Sequence, residues 1–180
     1  MKTLRVTFLA SMVLMLSGLS NVGRANAELQ PVTSVDVGRY MGTWYEIAKY
    51  PNSFQKGCDN VTATYTLRPD GKHFDVLNRC LEPDGSERTA KGRGWMPDHN
   101  EPGKLRVSFF LFFSAKYWII DLGDDYEYAV VGEPDREYLW ILSRKPKIDE
   151  ATYQGILQRL VTHGYDPAKL EQTAQSGAGS

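Results

Sequence analysis

A chain of 180 residues with a formal net charge of −1 is long enough for one domain with a real core and too short for two ordinary ones. Its first 27 residues hold Lys2, Arg5 and Arg24 and no acid, so a product lacking them has 153 residues and a net charge of −4. That balance excludes nucleic acid as a partner, because phosphate binding needs a basic surface.

Residues 1–27 read as an export signal and not as part of the fold. Lys2 and Arg5 give a positive start, "VTFLASMVLMLSGL" is apolar, and Ala25-Asn26-Ala27 has the form that signal peptidase cuts, leaving Glu28 first. A retained anchor would need about 20 apolar residues, and this run is shorter and contains Ser and Gly. No Cys follows it, as a lipid-modified N-terminus would require. The expected destination is the periplasm, peripheral to the outer membrane.

Strands then follow in succession. "Thr43-Trp44-Tyr45-Glu46-Ile47-Ala48" opens the series, and alternation from Trp44 places Glu46 and Ala48 on the interior face. The loop Pro51–Gly57 is expected to act as a lid. "Val61-Thr62-Ala63-Thr64-Tyr65-Thr66-Leu67" alternates as a half-buried strand does, Pro69-Asp70-Gly71 makes a turn, and Phe74–Asn78 returns antiparallel. Val61, Ala63, Tyr65, Phe74, Val76 and Asn78 then point inward. Folding about this turn brings Cys58 near Cys80; in an exported chain an oxidised pair is the leading expectation, with two buried thiols as the alternative.

Further strands are read at 87–94, 104–109, 117–121, 127–131 and 138–142, each bounded by Gly, Asp or Pro. The fold class is therefore all-β: eight antiparallel strands in an up-and-down barrel, which leaves no open edge. Eight strands enclose room for one small ligand, and Ala63, Ala90, Gly92 and Ala129 argue that the interior is not filled by side chains. Val107, Tyr117 and Trp140 are added to its lining.

"SFFLFFSAKYW", residues 108–118, holds four of the seven Phe. Phe109 shares the face of Leu105 and Val107 and is expected inside. Leu111, Phe112 and Phe113 are expected past the last ladder positions at the open end, an apolar patch that marks contact with a membrane or with a second copy of the chain.

A helix follows the strands. Asp149 caps it, and Ile156, Leu157, Leu160 and Val161 form a stripe ending at Gly164 that should pack outside the barrel. The folded domain is expected over 28–172, with 173–180 a disordered tail.

The motifs at the two ends of this pattern carry a resemblance. "Gly42-Thr43-Trp44" resembles the G-x-W signature of lipocalins, and "Trp140-Ile141-Leu142-Ser143-Arg144" looks like their last strand and its arginine. "Gly123-Asp124-Asp125-Tyr126" is similar to the family's T-D-Y element but lacks the Thr and shifts the Tyr. The likeness runs from about Val35 to Leu170 and is nearest in pattern to the bacterial outer-membrane lipocalins and apolipoprotein D. It implies a ligand pocket lined by Tyr65, Asn78 and Trp140. Gly42, Trp44 and Arg144 read as barrel-closing residues, the guanidinium stacking on the indole.

Catalytic chemistry has no visible basis. His73, His99 and His163 all fall at turns, loops or the helix end, and no H-E-x-x-H, C-x-x-C or G-x-S-x-G pattern occurs. No cofactor or metal is expected; a haem carrier would want an inward-facing His. The expected function is binding, storage or transport of a hydrophobic small molecule, a fatty acid or lysophospholipid, in the cell envelope. The alternative is an enzyme acting on a lipid or isoprenoid in the same cavity.

Overall fold

A computed structural model describes residues 28–110 and 113–176. A four-residue helix, α1 (Val37–Tyr40), capped by the Asp36 carboxylate, leads into β1 (Gly42–Lys49). Gly42 sits at the join with φ +92°, a conformation that side chains disfavour. Then come β2 (Asp59–Leu67), β3 (His73–Leu81), β4 (Glu87–Trp95), β5 (Lys104–Phe110), β6 (Phe113–Leu122), β7 (Tyr128–Gly132) and β8 (Leu139–Ser143). The helix α2 (Glu150–Thr162) and a two-residue strand, β9 (Glu171–Gln172), complete the chain.

Each strand pairs antiparallel with the next, β8 pairs with β1, and β1 pairs back with β2, so the eight strands close into a barrel with β9 added beside β1. The alternating direction gathers the β1–β2, β3–β4, β5–β6 and β7–β8 connections at one end. Trp44 and α1 lie at the other.

Side chains divide between two cores. Tyr40, Trp44, Tyr65, Phe74, Val76, Leu105, Ile119, Ala129, Val131 and Leu142 pack inside the barrel. Ala48, Tyr50, Ile120, Val130, Leu139 and Ile141 pack outside against Tyr153, Ile156 and Leu160 of α2. The helix is external, as its narrow stripe implied. Val161, expected in that stripe, is instead exposed, and Tyr153 takes its place.

Three local expectations are corrected. Ala48 does not face inward: the β1–β8 register shifts between Glu46 and Ala48, and this bulge turns Ala48 to the outer core. Phe113 has not run past the ladder, because it opens β6 and pairs with Phe110; Leu111 and Phe112 lie outside the described residues. Residues 173–176 are held rather than loose. Above Tyr45 and Thr62 strands β1 and β2 part, and this segment crosses the gap. Thr173 N–H donates to Ile47 O at 2.9 Å, Asn60 N–H donates to Ala174 O at 2.8 Å, and the Gln175 amide donates to the carbonyls of Glu46 and Val61, each at 2.9 Å. Backbone groups left by the parting strands supply the anchorage that composition alone does not show. The expected signal, 1–27, and residues 177–180 lie outside the described residues.

Candidate binding chamber

The closed end is built around Trp44, which is fully buried. Its indole N–H donates to Tyr40 O at 2.9 Å, and the Arg144 guanidinium lies 3.6 Å from the ring centroid on its outer side. Arg144 also donates to Thr43 O at 3.0 Å and to Arg39 O at 2.6 Å, binding β8 to β1 and α1.

Above Trp44 three phenols form a chain. The Tyr117 hydroxyl lies 2.8 Å from the Tyr40 hydroxyl and 2.8 Å from that of Tyr65. Burial pushes all three ionisations up, that of Tyr65 to about 12, so the chain is neutral at ordinary pH. Tyr65 and Tyr117 were expected in the lining; Tyr40 was not, although it stands four residues before Trp44, on the turn that must pass under it.

Two glycines admit two phenyl rings at this level. A Cβ on Gly94 would lie 2.1 Å from the Phe74 ring, and one on Gly92 would lie 2.8 Å from the Phe109 ring. The room expected at Gly92 is therefore occupied by Phe109, and Ala129 is fully buried among neighbours. Together these rings and phenols fill the lower barrel.

The upper barrel is more open. Asn78 pairs with Ala63 on β2 and Ala90 on β4, and Ala90, inward by alternation with Gly92, is exposed to solvent. Ala115, inward by alternation with Tyr117 and paired with Val107, is exposed too. Among these residues the Asn78 Oδ1 atom is buried with no hydrogen-bond partner among the described residues. Val76 is buried between the two levels.

At the mouth, Trp140 is half-buried against the interior core and stacks on Tyr138, with Phe54 of the β1–β2 loop 5.8 Å from Tyr138 and 6.4 Å from Trp140. The indole N–H donates to Gln55 Oε1 at 2.9 Å, and Gln55 Nε2 donates to Glu46 Oε2 at 2.6 Å. Thr173 Oγ1 donates to Glu46 Oε1 at 2.6 Å, so one buried carboxylate holds the β1–β2 loop and the C-terminal segment. Burial raises the Glu46 ionisation against these two hydrogen bonds and the Lys49 charge. Gln55 lies in the loop expected to act as a lid, but neither it nor Thr173 was expected to bond Glu46; no sequence pattern marks a partner contributed by a loop and a tail. Cys58 and Cys80 are joined, tying the start of β2 to the end of β3 at this end. Outside the mouth a cavity of about 650 Å³ lies between the β1–β2 loop, Pro83 and the segment Glu171–Thr173.

Among the described residues no three His, Cys, Asp or Glu side chains are placed to hold a metal ion. His73 pairs with Asp70 at the closed end, and His163 caps α2 outside the barrel.

Comparison with known proteins agrees with this architecture. Residues 35–175 match the Lipocalin-like domain. The outer membrane lipoprotein Blc of Escherichia coli (strain K12) is 40% identical over 148 residues, covering 82% of this chain and 83% of that protein. Apolipoprotein D of Mus musculus is 39% identical over 150 residues, covering 78% of this chain and 77% of that protein. Among solved structures, insecticyanin from Manduca sexta superposes with a TM-score of 0.68 at 24% identity, over 84% of this chain and 87% of the other. With a closed eight-stranded barrel, a Trp44–Arg144 floor and a match that spans the folded domain, this chain belongs to the lipocalin family.

Proposed function

We propose that the protein binds a single-chain amphiphile, a fatty acid or lysophospholipid, in the upper barrel, and carries or stores it in the periplasm. The observation that carries the reading is the unpartnered Asn78 amide oxygen among Ala63, Ala90 and apolar neighbours. A buried polar group without a partner costs about 1–3 kcal/mol, a cost that a ligand hydroxyl at this position relieves; the amide's NH₂ serves a carboxylate equally. The acyl chain gains ~0.8 kcal/mol for each methylene removed from water, against Val76, Val107 and Trp140. The Cys58–Cys80 disulfide fits an oxidising compartment, and a relative named as an outer membrane lipoprotein fits the cell envelope. Binding rather than catalysis is supported by the way the chamber's polar groups are engaged among the described residues: the phenols bond one another, and the Glu46 carboxyl is held by Gln55 and Thr173.

Exchange of ligand with a bilayer is assigned to the open end. Phe110 and Phe113 are 75% and 77% exposed there, large apolar groups that water does not favour. The test of the chamber is Asn78→Leu. Mass spectrometry of natively purified protein is expected to find a co-purified lipid, and oleate and lysophosphatidylcholine are expected to bind the variant several-fold more weakly. Its urea midpoint without ligand should be unchanged or higher, because the orphaned group is gone. A variant that keeps full affinity for both lipids overturns the assignment of Asn78.

A further inference from the structure

Below the exposed phenyls, the outer wall of β4, β5 and β6 carries positive charge without counter-charge. Lys91, Arg93, Arg106 and Lys116 point outward because their chain neighbours point in: Gly92 and Gly94 meet Phe109 and Phe74, and Leu105 and Tyr117 belong to the interior. The ladders then bring the cations together. Arg106 pairs directly with Lys116, and Arg93 stands opposite Ser108, two residues along β5 from Arg106. Like charges opposite one another on a sheet are destabilising.

None of the four has an ion-pair partner among the described residues, whereas Arg79, Arg88 and Lys104 on the same three-strand region and its flank do. Arg106 places its guanidinium on Ser114 Oγ at 2.9 and 3.0 Å, which satisfies donors and leaves the charge. Asp75, opposite Arg93, is engaged by Arg68. At about 3.3 Å per residue along a strand, Lys116 lies ~10 Å from Phe113; the two project from opposite faces of β6, the phenyl on the mouth side of the rim and the ammonium on the outer wall, so a single surface meets both only where it covers the rim itself.

Two other connections at this end carry exposed acids: Asp84 in the β3–β4 turn, beside Glu82 paired with Arg88, and Asp135 and Glu137 in the β7–β8 loop. A flat, end-on approach to an anionic surface would press these acids against it.

We propose that the protein docks on an anionic phospholipid surface in a tilted attitude, with Phe110 and Phe113 entering the interface and Arg93, Arg106 and Lys116 against lipid phosphates. This rests on the reading that the open end meets a bilayer, and adds the charge of that bilayer and the side of the barrel that faces it. The tilt lifts the acidic turns away. It also sets against the lipid the one stretch of wall where β4 and β5 are laddered only over Arg93–Trp95 and 106–108.

The test is co-sedimentation of the whole protein with vesicles of phosphatidylcholine alone and of phosphatidylcholine with phosphatidylglycerol. Parent, Arg93→Gln/Lys116→Gln and Phe110→Ser/Phe113→Ser are compared, with circular dichroism as the control for folding. Parent is expected to bind the anionic vesicles more tightly, and to lose that preference in high salt. Each basic residue near such a surface is worth roughly fivefold in binding, so the charge variant should bind anionic vesicles about twenty-five-fold more weakly and neutral ones unchanged. The phenyl variant should weaken on both. Equal binding of parent to both vesicles, or a charge variant that matches parent on anionic vesicles, overturns the proposal; if the phenyl variant still comes off neutral vesicles, the open-end contact stands without it. If parent binds neither vesicle and the charge variant dissociates a dimer in sedimentation equilibrium, the wall is an interface between copies and both readings fail.

Discussion

The Arg144 guanidinium covers the outer face of Trp44 at 3.6 Å while donating to Thr43 O and Arg39 O, so one side chain is at once a cation–π partner and a bridge between β8, β1 and α1. Lysine keeps the charge but lacks the flat fork that makes these contacts together. Arg144→Lys is therefore expected to cost nearly as much as Arg144→Ala, about 1–3 kcal/mol, in urea unfolding followed by tryptophan emission. A lysine variant as stable as the parent would mean that charge alone matters here.

Tyr117 is the centre of the phenol chain, and its loss strands two hydroxyls. Tyr117→Phe should destabilise by about 1–3 kcal/mol, and Tyr65→Phe by less, since Tyr65 stands at the chain's end. All three ionisations are raised, so stability is fully present below the ordinary phenol value of about 10 and falls as pH rises through the folded values. Urea midpoints measured through this alkaline range should drop less steeply in the Tyr117→Phe variant.

Glu46 has its ionisation raised, chiefly by burial. The folded protein therefore holds a proton more readily than the unfolded chain, and stability from this group is complete below the ordinary Glu value of about 4.3 and is lost as pH rises through the folded value. A glutamine can still accept from Gln55 and donate to Thr173. Glu46→Gln is expected to be more stable than parent at neutral pH, with the difference vanishing in acid. An advantage that stays constant with pH would assign the effect to packing.

Gly94 stands across the ladder from Phe74, with no room for a Cβ. Gly94→Ala should cost about 1–3 kcal/mol by overpacking, and adding Phe74→Leu should return part of it. The interaction energy from the four-protein cycle of urea midpoints measures the fit; strict additivity would show that the two positions do not share the space.

Much of this protein is determined by local pattern. Alternation along each strand, Gly, Pro and Asp between strands, and the Asp149 cap act over a few residues, so the eight strands and the outer helix are legible in order. Trp44 with Arg144, the inward residues of the β2–β3 hairpin and the pairing of Cys58 with Cys80 follow once those strands are closed into a barrel. What only the tertiary structure decided lies where the alternation breaks or where distant segments meet. A bulge after Glu46 reverses the face of Ala48, since one extra residue inverts every side chain beyond it. Gly92 looks like empty space in the sequence and is filled by Phe109 from the neighbouring strand, as Phe74 fills the place of a side chain at Gly94. The Trp140–Gln55–Glu46–Thr173 chain joins four segments spread over more than 120 residues of sequence. No local signal encodes such a meeting, because its partners become neighbours only after the barrel has closed.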